Sequence, residues 1–165
     1  MRRRSNVTWF STKARYQKTM EDGSEKVVTE NYLVDALSFT EAESAITDEM
    51  SVYVSGEFQV SGIAKAAYNE VFFSDVDDDD KWYKAKLQFI TIDEKTEKEK
   101  RSTVNYLVQA KSLARALRYV DEEMGKTMID YDTIGLNETN LMDVFEHQAP
   151  NKEEKNDVPE YEEQK

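Results

Sequence analysis

The sequence predicts an α+β fold in which a unit of two strands, a helix and a long strand occurs twice along the chain. The first observation is the tetrapeptide NYLV, which stands at residues 31–34 and again at 105–108. The second is the period-2 alternation of side chains in the segment before each copy. The third is a helix-start signal after each copy. Together they predict antiparallel sheet that carries two helices with pseudo-two-fold symmetry.

The repeat extends well beyond the tetrapeptide. When the chain is shifted against itself by about 73 residues, ordered matches run along both halves with only two one-residue adjustments. The matches include a tryptophan, a glycine and a Val-Phe ending in each copy: Trp9 with Trp82, Gly62 with Gly135, and Val71 and Phe72 with Val144 and Phe145. Matches of this length predict an internal duplication.

The first strand of each copy alternates between two faces. In the first copy Phe10 and Ala14 fall on one face and Trp9 falls on the other. The EDGS sequence at 21–24 predicts a tight hairpin turn into the second strand, residues 26–36. The second copy turns through DEKTEKEK, which contains no glycine. We therefore expect a longer and more mobile loop there.

Each helix begins at a serine that follows NYLV. Ser38 and Glu41 form the capping-box pattern, and the second helix begins at Ser112 and stops at Gly125. An apolar stripe on each helix should pack on the sheet. The stripes are Phe39, Ala42, Ile46 and Met50 in the first helix and Leu113, Ala116, Val120 and Met124 in the second.

The third strand, residues 57–73, is long and contains Gly62, so we expect a bend or break there and again at Gly135. The chain then divides by composition into five segments. They are a basic N-terminal arm over residues 1–8, a first repeat over 9–73, an acidic linker over 74–81, a second repeat over 82–148, and a disordered acidic tail over 149–165. We expect the two repeats to form one compact domain.

Composition excludes most catalytic and metal-binding chemistries. The 165 residues contain no cysteine and one histidine, His147, which rules out thiol nucleophiles, disulfides, thiolate zinc sites and buried histidine relays. No apolar run reaches the roughly 18 residues that span a bilayer, and no signal segment follows the first arginines. We therefore expect a cytoplasmic protein without membrane contact. The net charge of −12 argues against a uniformly basic nucleic-acid binder.

Three phrases carry a resemblance to a known family. They are the opening W-F-x-T-K-x-R-Y-x-K-T-x-E-D-G from Trp9, the segment NYLVDALSFTEAE, and the ending MDVF. Over Trp9 to Phe145 the chain resembles an uncharacterised domain family of gut Bacteroidetes and their phages, which implies provenance more than chemistry. From Glu57 onward the element order is also similar to the whirly and Pur-alpha single-stranded nucleic-acid binders, in a circularly permuted form. This second likeness rests on topology without a sequence motif.

The acidic residues give no clear catalytic or metal site. The DVDDDD run offers Asp75, Asp77 and Asp79 as calcium ligands, but Asp80 and Lys86 stand where an EF-hand loop needs glycine and glutamate. We predict a solvated linker, with weak divalent-cation binding as the alternative. Glu70 and Asp143, which end the third strands of the two repeats, are expected to form strand-end salt bridges or caps. We predict no catalytic residue, no metal and no cofactor.

One face of the first strands combines aromatic and cationic side chains. It carries Trp9, Lys13 and Arg15 in the first repeat and Trp82, Lys84 and Lys86 in the second, and Arg2, Arg3 and Arg4 lead into it. A tryptophan that stacks on bases beside cations that neutralise phosphates is typical of sequence-tolerant single-strand binding. The alternative is that the tryptophans pack in the interior and the cations only solvate the sheet.

Three functional hypotheses follow. The first is a non-enzymatic single-stranded DNA or RNA binding protein of a phage or mobile element. The second, which buried tryptophans would favour, is an acidic protein-interaction module or nucleic-acid mimic that binds a host protein. The third is a component of a phage particle. The acidic tail, which has three lysines and six acids, would compete for the cationic face or recruit a protein partner. The oligomeric state is left open.

Overall fold

The computed structural model describes residues 1–147, which contain nine strands and two helices. In chain order they are β1 (Arg2–Ser5), β2 (Trp9–Thr19), β3 (Glu25–Asp35), α1 (Phe39–Met50), β4 (Phe58–Ala66), β5 (Glu70–Phe73), β6 (Lys81–Ile92), β7 (Glu99–Ala110), α2 (Leu113–Met124), β8 (Asp130–Glu138) and β9 (Leu141–Phe145). The α+β class is confirmed. Neither helix in this part of the chain is long and apolar enough to cross a membrane.

The strands form two sheets. One has four strands in the order β4-β2-β3-β9, and the other has five strands in the order β1-β5-β7-β6-β8. The chain divides into two compact units. Within the described residues, the first unit comprises Thr8–Ala66 and residues 143–147, and the second unit comprises Met1–Val7 and Ala67–Met142. β5 pairs with β7 in parallel, whereas the central strands β2 and β6 each pair with both neighbours in the antiparallel sense.

The unit boundaries differ from those that the sequence predicts. The predicted boundary follows Phe73 at the acidic linker, whereas the observed boundary follows Ala66. β5, which ends the first repeat, pairs with β7 in the second unit and places Glu70 opposite Tyr106. β9, which ends the second repeat, lies beside β3. Periodicity identifies a strand but not its partner, so the sequence pattern could not assign these two strands.

The predicted basic arm is instead a strand, because Arg2–Ser5 forms β1 at the edge of the five-stranded sheet. β1 pairs with β5 in the antiparallel sense. The Arg2 guanidinium lies 4.4 Å from the centroid of the Phe73 ring, and Arg3 Nε lies 3.2 Å from Glu70 Oε1. Arg2 and Arg3 therefore serve local contacts in the second unit.

The two hairpin turns differ as the sequence predicts. The first turn spans residues 20–24, and Gly23 adopts a φ of 85°. The second turn spans residues 93–98 and is one residue longer, so the prediction of a longer loop is confirmed and its mobility stays a prediction. In the second turn Glu97 holds a φ of 57°, in the left-handed region that favours glycine. This conformation is costly for a residue with a Cβ.

The two helices begin at the predicted caps. Ser38 Oγ accepts a hydrogen bond from Glu41 N at 3.1 Å, and Ser112 Oγ accepts one from Arg115 N at 3.2 Å. The predicted stripes are buried except for their first residues, because Phe39 is 52% exposed and Leu113 is 51% exposed. Phe39 still meets the buried Phe10 ring edge-on, with centroids 5.1 Å apart, so it lies at the margin of the cluster under the helix.

The predicted irregularity at each glycine is a β-bulge, and the strand breaks elsewhere. Gly62 lies opposite Lys13 and Val60 lies opposite Ala14, so Ser61 is the extra residue. In the second unit the register shifts in the same way between Lys86 and Leu87. The break in the long third strand comes after Ala66 and not at Gly62. The element order strand, strand, helix, strand, strand thus occurs twice, from β2 and from β6, while the duplication itself stays a prediction.

We expect Glu97→Gly to raise the free energy of unfolding by about 1 kcal/mol, because it relieves the left-handed strain of a side chain at that φ. Gly23→Ala is the matched opposite change, since it adds a Cβ at a φ of 85°, and it should lower stability by a similar amount. Urea unfolding of both variants measures this. A Glu97→Gly protein less stable than the wild type would contradict the role assigned to this turn.

Candidate nucleic-acid interface

Each unit carries one candidate interface, which is a face of β2 in the first unit and a face of β6 in the second. In the first unit Phe10 and Ala14 pack into the cluster under α1, so the alternate residues Lys13 and Arg15 lie on the opposite face. In the second unit Ala85 packs under α2, and the alternate residues Lys84 and Lys86 lie on the opposite face. The predicted face assignment of these cations is confirmed. We call Lys13 and Arg15 on β2, and Lys84 and Lys86 on β6, the cationic rows.

The prediction that the tryptophans form stacking platforms is wrong. Trp9 is 1% exposed and Trp82 is 2% exposed. The Trp82 ring meets the Phe73 ring edge-on, with centroids 5.4 Å apart, and the Trp82 carbonyl accepts hydrogen bonds from the backbone N and Oγ1 of Thr139 at 2.8 and 2.9 Å. A buried ring offers no face for a base. Strand alternation gives the side on which a residue lies, but it does not show whether that end of the strand is covered.

The four cations are exposed, and within residues 1–147 none of them forms an ion pair. In the first unit, Lys13 lies between Asn31 and Gly62 across the neighbouring strands. Arg15 lies between Thr29 and Gln59 in the same way. The positions directly beside this row therefore hold no carboxylate, although the chain carries a net charge of −12.

The row in the second unit has similar neighbours. Lys84 lies between Leu107 and Asn137, and Lys86 lies between Asn105 and Gly135. Beyond the row, Arg101 donates to Asp132 and Glu99 at 2.8 Å each. Those carboxylates are thus already paired, and the direct neighbours of both lysines are again uncharged.

The acidic linker contains a structural carboxylate that sequence reasoning missed. Asp79 is 2% exposed and accepts hydrogen bonds from Tyr119 Oη at 2.6 Å, from Arg115 Nη1 at 3.1 Å and from Ser74 Oγ. Burial alone would raise the pKa of Asp79, but these three donors outweigh burial and lower it. The prediction of a solvated linker is wrong for Asp79, because an aspartate run gives no signal of which carboxylate meets donors from a later helix.

Other acidic residues of the run remain exposed, as Asp75, Asp77, Asp78 and Asp80 show. Within residues 1–147 no three acidic or histidine side chains converge as a metal site would require. In this part of the chain, the acidic run therefore does not present a set of ligands arranged around one position for a divalent cation.

The two strand-end carboxylates lie in different units. Glu70 accepts a hydrogen bond from Ser5 Oγ at 2.6 Å and pairs with Arg3, which confirms the predicted strand-end salt bridge. Asp143 Oδ1 accepts a hydrogen bond from Val144 N at 2.8 Å. Partial burial raises the pKa of Asp143, because it removes water from the charged carboxylate. The single hydrogen bond from Val144 N lowers the pKa by less than burial raises it, although part of the side chain is exposed.

A second polar cluster, also missed from the sequence, ties the far ends of β2 and β3 together. Glu30 accepts hydrogen bonds from Tyr16 Oη at 2.6 Å, Tyr32 Oη at 2.9 Å and Lys18 Nζ at 3.2 Å. Burial would raise the pKa of Glu30, but the donors lower it, and burial together with this bond raises the pKa of Tyr16 to about 12. The corresponding position in the second repeat is Val104. Because valine replaces glutamate there, comparison of the two repeats could not reveal this cluster.

Comparison with known proteins gives a family but no activity. A family model described as a domain of unknown function, DUF4494, matches residues 8–147. The chain belongs to the DUF4494 family. No curated protein and no solved structure matches it. For this DUF4494 protein, a functional argument therefore depends on the side chains themselves.

We expect Asp79→Asn to lower the free energy of unfolding of the DUF4494 protein by about 2 kcal/mol at pH 7, because a charged acceptor of three hydrogen bonds is lost. The folded-state pKa of Asp79 is lowered, so its contribution is present above its unfolded value of about 3.9 and disappears as pH falls through the folded value. The gap between wild type and variant should therefore shrink below about pH 4.

Urea unfolding of wild type and Asp79→Asn between pH 3 and pH 7 measures this gap. Asp77→Asn is the matched control, because Asp77 lies in the same run and is exposed. Equal destabilisation by the two changes would contradict the structural role of Asp79.

Proposed function

We propose that the protein is a non-enzymatic binder of single-stranded DNA or RNA that contacts the sugar-phosphate backbone through the cationic rows. The observation that carries this proposal is the set of four exposed cations without ion pairs in residues 1–147, none of them directly beside a carboxylate in the sheet register. A phosphate that approaches such a row meets attraction from the nearest charges, because screening weakens more distant ones beyond about 8 Å at physiological salt.

The side chains beside the cations favour a single strand over a duplex. Asn31 and Gln59 flank the row on β2, and Asn105 and Asn137 flank the row on β6. Carboxamides can hydrogen-bond to the base edges that a single strand leaves unpaired. With both tryptophans buried, binding lacks the roughly 1 to 3 kcal/mol that each base gains by stacking on an aromatic ring. Binding should therefore be dominated by phosphate contacts.

Three further parts of this proposal concern origin, compartment and ancestry. The family resemblance favours an origin in a phage or mobile element of gut Bacteroidetes, where the protein would act in the cytoplasm. The matching bulges at Gly62 and Gly135 and the matching caps at Ser38 and Ser112 support an internal duplication with pseudo-two-fold symmetry. The topological likeness to whirly and Pur-alpha proteins also favours binding of nucleic acid on a sheet surface.

A second candidate function is a protein-interaction module. Exposed apolar residues favour it in the loop after each helix, where Val52 is 80% exposed, Tyr53 is 70% exposed and Met128 is fully exposed. The net charge of −12 suits a basic partner, including one that normally binds nucleic acid. Failure of the protein to bind any oligonucleotide at low salt would favour this candidate.

We expect Lys13→Glu combined with Lys86→Glu to weaken binding of a fluorescein-labelled oligo-dT and to lower the slope of log affinity against log salt by about two, one for each lost phosphate contact. Fluorescence anisotropy at several salt concentrations measures both quantities. Tryptophan emission should stay unchanged on binding, because Trp9 and Trp82 are buried.

The control for this variant changes Lys26 and Lys98 to glutamate. Both are exposed near the hairpin turns, outside the cationic rows, and the change in net charge is identical. If the control weakened binding as much as the row variant, only overall charge would matter and the rows would have no specific role. Wild-type affinity for a duplex of the same length that equalled the single-strand affinity would contradict the preference for single strands.

We expect removal of residues 149–165 to tighten oligo-dT binding and to steepen its salt dependence, because the six acids of this segment, which outnumber its three lysines, would no longer compete with phosphate. This segment lies outside the described residues. The last described residue before it is His147, whose backbone N donates to Asp35 Oδ1 at 2.5 Å. Asp35 is on β3 and lies opposite Trp9 of β2, the strand that also carries Lys13. A full-length variant with the five tail glutamates changed to glutamine separates charge from length. Unchanged affinity in both proteins would remove the tail from the mechanism.

A further inference from the structure

The two units share a row of three identical residues across their sheets. On the face opposite the helix, Gly62, Lys13 and Asn31 lie directly opposite one another on β4, β2 and β3. In the second unit Gly135, Lys86 and Asn105 occupy the same positions on β8, β6 and β7. In each unit the row lies next to the bulge that shifts the edge strand by one residue.

The backbone does not require glycine at either position. Neither Gly62 nor Gly135 has a positive φ, and an added Cβ would lie at an ordinary contact distance of 3.5 Å from the nearest lysine carbon. Glycine within a strand is less stable than alanine, and it marks a bulge or the close approach of a ligand or another chain. The bulge residues themselves are Ser61 and Ile134, so the bulge alone does not explain the two glycines.

The lysines use the space that the glycines provide. The Lys13 stem lies over Gly62, with Cδ 3.5 Å and Cγ 3.9 Å from the Cβ position, whereas at Gly135 only Cβ of Lys86 comes this close. The same glycine neighbour thus accommodates two different lysine positions. A larger side chain at either glycine would restrict where the ammonium group can meet a ligand on this face.

The asparagine supplies a hydrogen-bond donor beside the ammonium group. Asn105 Oδ1 is buried and accepts no hydrogen bond within residues 1–147. Its carboxamide NH2 likewise donates to no group in this part of the chain. The lysine and the asparagine stand directly opposite each other in the register, with a glycine in place of a third side chain. Their ammonium and carboxamide groups offer donors and no negative charge, which suits a phosphate oxygen.

We propose that each glycine–lysine–asparagine row is a subsite for one phosphate group, with Gly62 and Gly135 as positioning residues for Lys13 and Lys86. The nucleic-acid backbone is the source of the phosphate, so in this respect the inference rests on the proposed function. The row itself is defined by register and contacts alone. The same donors would also accept inorganic phosphate or pyrophosphate, and the experiment separates these sources.

The test uses the full-length protein with Gly62→Val and Gly135→Val together. The variant should bind oligo-dT several-fold more weakly, with a salt slope lower by about two. Its thermal unfolding midpoint should stay the same or rise, because valine suits a strand better than glycine. Ala64→Val is the matched control, since Ala64 is exposed on the same edge strand and lies opposite Ser11. It should bind like the wild type.

A second measurement does not depend on nucleic acid. Pyrophosphate added to the ¹⁵N-labelled wild-type protein should shift the amide signals of Gly62 and Gly135 and the side-chain signals of Asn31 and Asn105. The double valine variant should lose the shifts of both asparagine side chains, whereas Ala64→Val should retain them.

The outcomes separate the subsites from the proposed function. If the double valine variant binds oligo-dT like the wild type while Lys13→Glu with Lys86→Glu does not, the subsites are wrong and the proposed function stands. If no oligonucleotide binds but pyrophosphate shifts the row signals, the subsites stand for free phosphates and the nucleic-acid proposal fails. If neither probe has an effect, both are overturned.

Discussion

One capped helix lies on each sheet, and this packing decides which side of the central strands meets solvent. In the first unit Ile46 and Met50 of α1 share a buried cluster with Phe10 and Ala14 of β2. Because strand side chains alternate, Lys13 must then lie on the other face. A slip of one residue would turn the lysine into the core and the phenylalanine out, which would bury an unpaired ammonium group. The core and the exposure of the cationic rows are therefore one constraint.

The two short phrases that occur twice in the sequence contact each other in the fold. The tyrosine of each NYLV copy contacts the phenylalanine of a Val-Phe strand, and in each unit that strand comes from the other repeat. Tyr106 meets Phe72 edge-on and Tyr32 stacks on Phe145, both with centroids 5.4 Å apart. Neither repeat by itself contains the full set of buried residues for its own sheet. The two repeats thus complete each other's cores by exchanging their last strands.

Local patterns predicted much of the fold but little of what distant residues do to one another. The serine caps, the alternation along β2 and β6, the longer second turn and the glycine irregularities all depend on neighbours within a few residues. Contacts between residues far apart in the chain determine the burial of Trp9 and Trp82, two of the three donors around Asp79, and the exchanged strands. For the candidate site, the alternation of side chains along each strand predicted the face on which the four cations lie. Register was needed to find their uncharged neighbours and the row that joins Gly62, Lys13 and Asn31.

The location of charge matters more here than its sum. The 34 acids outnumber the 22 basic residues, so at long range the protein repels a polyanion, and this repulsion slows encounter most at low ionic strength. At physiological salt the Debye length falls to about 8 Å, so a phosphate beside Lys13 senses mainly the groups around it, which are Asn31 and Gly62. Salt therefore has two opposite effects, because it screens the overall repulsion while it weakens each local contact. The balance between these two effects of salt depends on the few side chains beside each lysine. A neutral glycine or asparagine at those positions leaves the local attraction for phosphate uncancelled, and the net charge of the protein does not reveal this.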